Sequence, residues 1–142
     1  MEDNREPGKR PDAHARETLL EGRRILSVDD DEFVLKIIAK VLAKVGATVF
    51  TASTVSDAYA KYNEQNGAFD IILSDISLPD GNGLDLIKNI KARGYKGATL
   101  LASGYVFDLD INGTPEEERI SFIGKPFNQQ ELIQKIVSLV KK

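Results

Sequence analysis

Apolar residues in this chain fall into two kinds of run that alternate from one end to the other. Residues 25–28, 47–52, 69–73, 96–102 and 120–124 are short and largely apolar, too short for helices and of the right length for strands buried on both faces. Between them the period lengthens. Phe33, Val34, Ile37, Ile38, Val41, Leu42 and Val45 recur at helical steps until Gly46. Leu84, Ile87 and Ile90 share one face of a segment from about 82 to 93, which Gly94 terminates. Thr54 with Asp57 resembles a capping box and opens a helix that ends at Asn66-Gly67. Asn128 with Glu131 opens the last helix in the same way, lined by Leu132, Ile133, Ile136, Val137 and Val140. Alternating strands and helices predict a parallel sheet with helices on both faces, a three-layered α/β fold.

Two stretches depart from this rhythm. Residues 1–22 carry six acids, four bases and two prolines among few apolar side chains, a composition that predicts a disordered tail in which Ala13, Leu19 and Leu20 form at most one short turn. The folded domain is then expected over 23–142. Residues 104–113 hold two glycines and no sustained helical period, whereas Thr114-Pro115-Glu116-Glu117 is a strong helix start. The fourth helix is therefore expected to be late and short, over about 115–119.

Composition narrows the chemistry. A chain of 142 residues and 15.7 kDa is one domain, able to bury roughly 68–70% of its unfolded surface without staples. Absence of Cys removes disulfides, thiolate metal sites and Cys nucleophiles. The one histidine, His14, lies in the polar tail, which argues against a triad hydrolase or a histidine phosphocarrier. A net charge of -3 with mixed signs predicts no nucleic-acid partner. No apolar run approaches the roughly 18 residues of a membrane span, and the N-terminus has no apolar signal core. No membrane association and a cytoplasmic location are the resulting expectations.

Reactive residue types collect at strand ends: Asp29 and Asp30 after the first strand, Asp75 after the third, Ser103 after the fourth and Lys125 after the fifth. In a parallel sheet all of these share one edge, and that edge is where open α/β sheets place ligands. Taken alone, Asp75 could equally be a solvated turn residue. The motifs ILSVDDDE, IILSDISLPDGNGLDL, LASG and FIGKPF, in this order and over about 24–142, resemble the receiver domain of two-component response regulators.

That resemblance implies a flavodoxin-like, doubly wound sheet of five parallel strands in the order 2-1-3-4-5, its switch point bringing Asp29 and Asp30 beside Asp75. It implies that Asp75 is the phosphoacceptor and that Asp30, Asp75 and the backbone carbonyl of Ser77 bind Mg²⁺, with Asp29 acting through bound water. Electrostatics agree, because two like charges 4 Å apart repel by about 4 kcal/mol at an effective dielectric of 20, so clustered carboxylates call for a hard cation with oxygen ligands. Lys125 is expected to pair with a phosphoryl oxygen, Ser103 to donate its hydroxyl to it, and Phe122 to be the aromatic switch residue. A cis Lys125-Pro126 bond is implied as well. Ser77 and Tyr105 are expected to flank the path of attacking water.

Gly81 and Asn82 stand where Met and Asp are common in the family, which leaves the nucleophile and metal ligands intact. The short fourth helix argues against a dimer through helix 4, strand 5 and helix 5, and makes the 104–119 interval the expected partner-specific surface. The implied function is that of a single-domain response regulator, a phosphoacceptor with self-catalysed chemistry rather than a turnover enzyme. Its partners are then a histidine kinase or histidine phosphotransfer protein and a downstream protein effector. Two alternatives are a Mg²⁺-dependent hydrolase using an Asp nucleophile within Asp29-Asp30-Asp31, as in haloacid-dehalogenase-like phosphatases, and a receiver-like module that is never phosphorylated.

Overall fold

The computed structural model describes residues 18–104 and 120–140. Five parallel strands form the central sheet: β1 (Arg24–Val28), β2 (Thr48–Ala52), β3 (Ile71–Asp75), β6 (Ala98–Ser103) and β7 (Ser121–Gly124), in the order β2-β1-β3-β6-β7. Among the described residues four helices connect or follow them: α1 (Glu32–Ala43), α2 (Val55–Glu64), α3 (Gly83–Ala92) and α4 (Gln129–Val140). A separate antiparallel ribbon, β4 (Ser77–Leu78) paired with β5 (Gly81–Asn82), lies between β3 and α3. Counting only strands of the main sheet, the order is 2-1-3-4-5, as the resemblance implies.

Strand neighbours point to opposite faces, and this builds two cores. Ile25, Ile71, Leu73 and Leu100 join Ile38, Leu42, Leu132 and Ile136 on the side covered by α1 and α4. Leu26, Ile72 and Phe69 join Ala58, Leu86 and Ile90 on the side covered by α2 and α3. The continuous apolar runs follow from this, since both faces of β1 and β3 are covered.

Side chains fix the helix starts. Thr54 caps α2, its Oγ1 accepting from the Asp57 N–H at 2.9 Å. At α4 the capping box is reciprocal: Asn128 Oδ1 accepts from the Glu131 N–H at 2.8 Å and Glu131 Oε1 from the Asn128 N–H at 2.9 Å. Such caps contribute about 1 kcal/mol each.

Three differences from the sequence reading have physical causes. β3 runs two residues later than the apolar stretch 69–73, because Ser74 and Asp75 pair in register with Val28 and Ala102, and a backbone ladder is indifferent to side-chain polarity. The ribbon β4–β5 was not anticipated, although Pro79-Asp80-Gly81 is a hairpin-turn signal. Residues 18–22, assigned on composition to the tail, instead form a turn against the C-terminal end of α1. There the Leu20 N–H bonds to the Val45 carbonyl at 2.8 Å and the Leu20 side chain is fully buried. Gly46 serves this contact as well as helix termination: its φ is 101°, and a Cβ would sit 2.8 Å from Glu21 Cα. The expected short helix at about 115–119, the surface at 104–119 beyond Gly104, and Tyr105 lie outside the described residues, as do residues 1–17.

Candidate phosphoacceptor site

After β1 the chain crosses to β2 on one side and, after α2, returns to β3 on the other, so the sheet's switch point lies between β1 and β3. In doubly wound sheets the loops leaving two such strands diverge, and ligands bind in the crevice outside their C-terminal tips. Asp29 and Asp30 follow β1, and Asp75 ends β3. One carboxylate oxygen from each of Asp29, Asp30 and Asp75 lies within 4.8 Å of the others.

Each acid is held differently. Asp29 is buried. Its Oδ1 accepts from the Asp31 N–H at 2.9 Å, and its Oδ2 faces the Lys125 Nζ at 3.2 Å. Asp30 is exposed at the rim. Asp75 Oδ1 accepts from the Ile76 N–H at 2.9 Å and faces Lys125 Nζ at 3.3 Å. Among the described residues no donor reaches Asp75 Oδ2. Asp31 lies outside the cluster: its Oδ1 caps α1, accepting from the N–H groups of Phe33 at 3.0 Å and Val34 at 3.3 Å. Four consecutive acids thus divide between a pocket and a helix start.

Lys125 reaches the crevice from across the sheet. It follows β7, its N–H bonded to the Ser103 carbonyl at 2.9 Å, and the Lys125-Pro126 peptide is cis. Ser103, nearly fully buried, ends β6 one position beyond Ala102, the register partner of Asp75. Phe122 in β7 is half-buried against Ile87, Leu101 and Ile120, beside Leu84. Ser77 opens β4 two residues beyond Asp75 and pairs with Asn82.

Gly83 closes the floor of the site. A Cβ at this position would lie 2.1 Å from the Asp75 carbonyl oxygen and 2.7 Å from Ser74 Oγ, so the backbone after the ribbon can approach Asp75 only because residue 83 has no side chain.

Burial raises the Asp75 carboxyl above the usual carboxylate range; Lys125 pulls it down and the charge on Asp29 pushes it up, leaving a net rise. For Lys125, burial disfavours the ammonium, but the attraction of Asp29 and Asp75 outweighs it and the group is held above its ordinary value. Each pair of carboxylates within 4.8 Å repels by about 3.5 kcal/mol or more at an effective dielectric of 20. One ammonium cannot balance three carboxylates. The donor set is all oxygen, hard and anionic, and therefore fits Mg²⁺.

Fold and site together define a doubly wound α/β domain with an acidic pocket and a counter-lysine at the switch point. The family profile of the response regulator receiver domain matches residues 25–137, and the chain belongs to that family. It is 25% identical over 118 residues to the "Sensor kinase CckA" of Brucella abortus (strain 2308), covering 83% of this chain and 12% of the kinase. It is 30% identical over 115 residues to the "Hybrid signal transduction histidine kinase L" of Dictyostelium discoideum, covering 77% of this chain and 7% of that protein. The chain thus spans only a small part of these curated relatives. Among solved structures, a CheY-like response regulator receiver domain protein from Methanospirillum hungatei JF-1 superposes with a TM-score of 0.74 at 28% identity, covering 84% of this chain and 94% of that one.

Sequence reasoning missed one contributor to this region and one to the core. Asp80, at the tip of the ribbon, binds the start of α2 through both carboxylate oxygens, and the only sequence signal for it is the turn motif that contains it. Leu20 is part of the core although the stretch around it is mostly polar. Among the described residues no helix is long and apolar enough to cross a membrane.

Proposed function

We propose that this chain is a phosphoacceptor receiver that takes a phosphoryl group onto Asp75 from a histidine kinase or histidine phosphotransfer protein. The observation that carries this reading is the Asp75 carboxylate at the tip of a central strand. One of its oxygens is engaged by Ile76 and Lys125, no donor among the described residues reaches the other, and the carboxylates of Asp29 and Asp30 lie beside it.

In the transfer, Asp75 Oδ2 attacks phosphorus and the bond from phosphorus to the donor histidine nitrogen breaks. The nitrogen keeps the electron pair and is reprotonated from solvent, leaving an acyl phosphate on Asp75. Asp30, Asp75 and the Ser77 carbonyl would hold Mg²⁺, with Asp29 acting through bound water, and the ion supplies neutralisation of charge on the phosphoryl oxygens. Lys125 is already within 3.3 Å of Asp75 and exchanges its carboxylate contact for a phosphoryl oxygen. Ser103 donates its hydroxyl to another, and the chain around β6 follows it. Phe122 then buries its ring further into the cluster with Leu101 and Ile87. As a phenylalanine it reports the change by packing, having no hydroxyl to hydrogen bond. A downstream protein partner reads that rearrangement, and a cytoplasmic setting is part of this reading.

The rim offers a place for the donor. α1 begins beside the pocket, and its first two turns expose Phe33 at 70% and Ile37 at 44%, one turn apart. Large apolar side chains left in water beside a reactive pocket suit a partner that must bring phosphohistidine to Asp75. The hydrolase alternative is disfavoured because Asp31, which an Asp-x-Asp mechanism needs in the pocket, is committed to capping α1.

Intact mass after incubation with Mg²⁺ and a small acyl-phosphate donor tests the proposal. Wild type is expected to gain one phosphoryl group, Asp75→Asn none, and chelation before the reaction should prevent the gain. Equal gain by Asp75→Asn would assign the chemistry elsewhere. Failure of wild type with small donors and with phosphorylated histidine kinases would leave an unphosphorylated interaction module as the better reading.

A further inference from the structure

The ribbon that carries Ser77 is attached to a different part of the molecule from the strand that carries Asp75. Its tip residue, Asp80, places Oδ1 2.8 Å from the Val55 N–H and Oδ2 3.0 Å from the Ser56 N–H. These are the first two amides of α2, which intrahelical bonds leave without acceptors and which carry the positive end of the helix dipole. Thr54 serves the third amide from the helix's own side. The start of α2 is thus capped jointly by its own N-cap and by a carboxylate 25 residues away in sequence.

Contacts around this link leave the ribbon little freedom. Val55 Cγ2 lies 3.1 Å from where a Cβ on Gly81 would stand, so tip and helix touch. Leu78 packs into the α2–α3 side of the core, and the Gly83 N–H bonds to the Ile76 carbonyl at 2.8 Å at the ribbon's base. Ser77 itself is exposed and pairs with Asn82. The ribbon that carries Ser77 is thus tied both at its tip and at its base, and releasing the tip removes one of these ties.

The geometry points to Asp80 as a positioning residue for the Mg²⁺ site: by anchoring the ribbon tip on α2 it holds the Ser77 carbonyl in place beside Asp75. This inference rests on the phosphoacceptor reading above. The two N–H bonds also hold the exposed Asp80 carboxyl below its ordinary range, in keeping with a contact made by the charged form.

Asp80→Ala, Asp80→Asn and Thr54→Ala test it. Thr54→Ala weakens the same helix start without touching the ribbon, and so reports what cap loss alone does. Mg²⁺ affinity is measured by calorimetry, and the Mg²⁺ concentration for half-maximal phosphorylation by intact mass with a small acyl-phosphate donor. Asp80→Ala is expected to weaken Mg²⁺ binding about tenfold, the low end for loss of a group that orients a metal ligand. It should raise the half-saturating Mg²⁺ by the same factor while keeping the rate at saturation. Asp80→Asn, with one carbonyl oxygen and hence one of the two bonds, should fall between it and wild type, and Thr54→Ala should match wild type. Equal Mg²⁺ affinity in wild type and Asp80→Ala, or equal losses in Asp80→Ala and Thr54→Ala, would reduce Asp80 to a helix cap and leave the phosphoacceptor reading standing. Wild type that binds no Mg²⁺ would overturn both.

Discussion

Leu19 and Leu20 are neighbours in a polar stretch, and the structure assigns them opposite fates: Leu20 is fully buried, whereas Leu19 is 38% exposed. Truncating Leu20 to Ala removes a side chain from the cluster that holds Val45, Ala47 and Leu42. Leu→Ala at buried sites costs about 2–5 kcal/mol, less where the surroundings can close over the gap. Leu20 sits in a turn rather than in a helix or strand, and a turn can settle inward, so the lower part of that range, about 2–3 kcal/mol, is expected. A loss of this size is a large fraction of the roughly 5–15 kcal/mol that holds a domain folded. With an m-value of about 1.5–2 kcal/mol per molar urea, the midpoint should fall by roughly 1–2 M. Leu19→Ala is the internal control and should stay within about 0.5 kcal/mol of wild type. Urea unfolding of the three proteins, followed by far-UV circular dichroism, decides the matter. Equal small shifts for both variants would mean that the turn does not dock in solution and that the folded unit begins at β1.

Three further expectations concern the site. In metal-free protein, Asp75 carries a carboxyl raised above the unfolded value of 3.8, by burial first and by Asp29 against the pull of Lys125. Its contribution to stability is therefore complete below pH 3.8 and lost as pH rises through the folded pKa. Asp75→Asn should gain on wild type from there toward neutral pH in chelator; urea midpoints that stay parallel across this range would refute that. Lys125→Ala leaves the buried Asp29 carboxylate without its counter-ion. It should cost about 1–2 kcal/mol by urea unfolding, below the value for a fully buried pair because Lys125 is partly exposed, and an unchanged midpoint would count against the pairing. Gly83→Ala puts a methyl 2.1 Å from the Asp75 carbonyl oxygen and should cost about 1–3 kcal/mol or more together with phosphoryl uptake. Gly104→Ala, where no described residue lies within 4 Å of the added Cβ, should leave stability unchanged.

Much of this molecule is legible before folding. The alternation of continuous apolar runs with helical periods prescribes a layered α/β sheet, because backbone pairing and two-sided burial leave few other arrangements for such a pattern. Local chemistry is equally readable: Thr54, Asn128 and Glu131 cap helices a few residues away, where chain connectivity already brings donor and acceptor together. Asp29, Asp30, Asp75, Ser103 and Lys125 could be assigned to one edge from their positions at strand ends alone.

Tertiary structure decided what depends on distance in space between residues remote in sequence. The meeting of Lys125 with Asp29, 96 residues apart, is set by strand order and register. The division of the acids, with Asp29 and Asp30 in the pocket and Asp31 on a helix, depends on where α1 begins. Leu20 joins the core because the end of α1 leaves a space that its side chain fills, and composition averaged over a polar stretch cannot register one buried residue. Asp80 is the plainest case. In sequence it is a turn residue between proline and glycine; in space it meets two amides that need an acceptor, and only the packing of the ribbon against α2 turns one into the other.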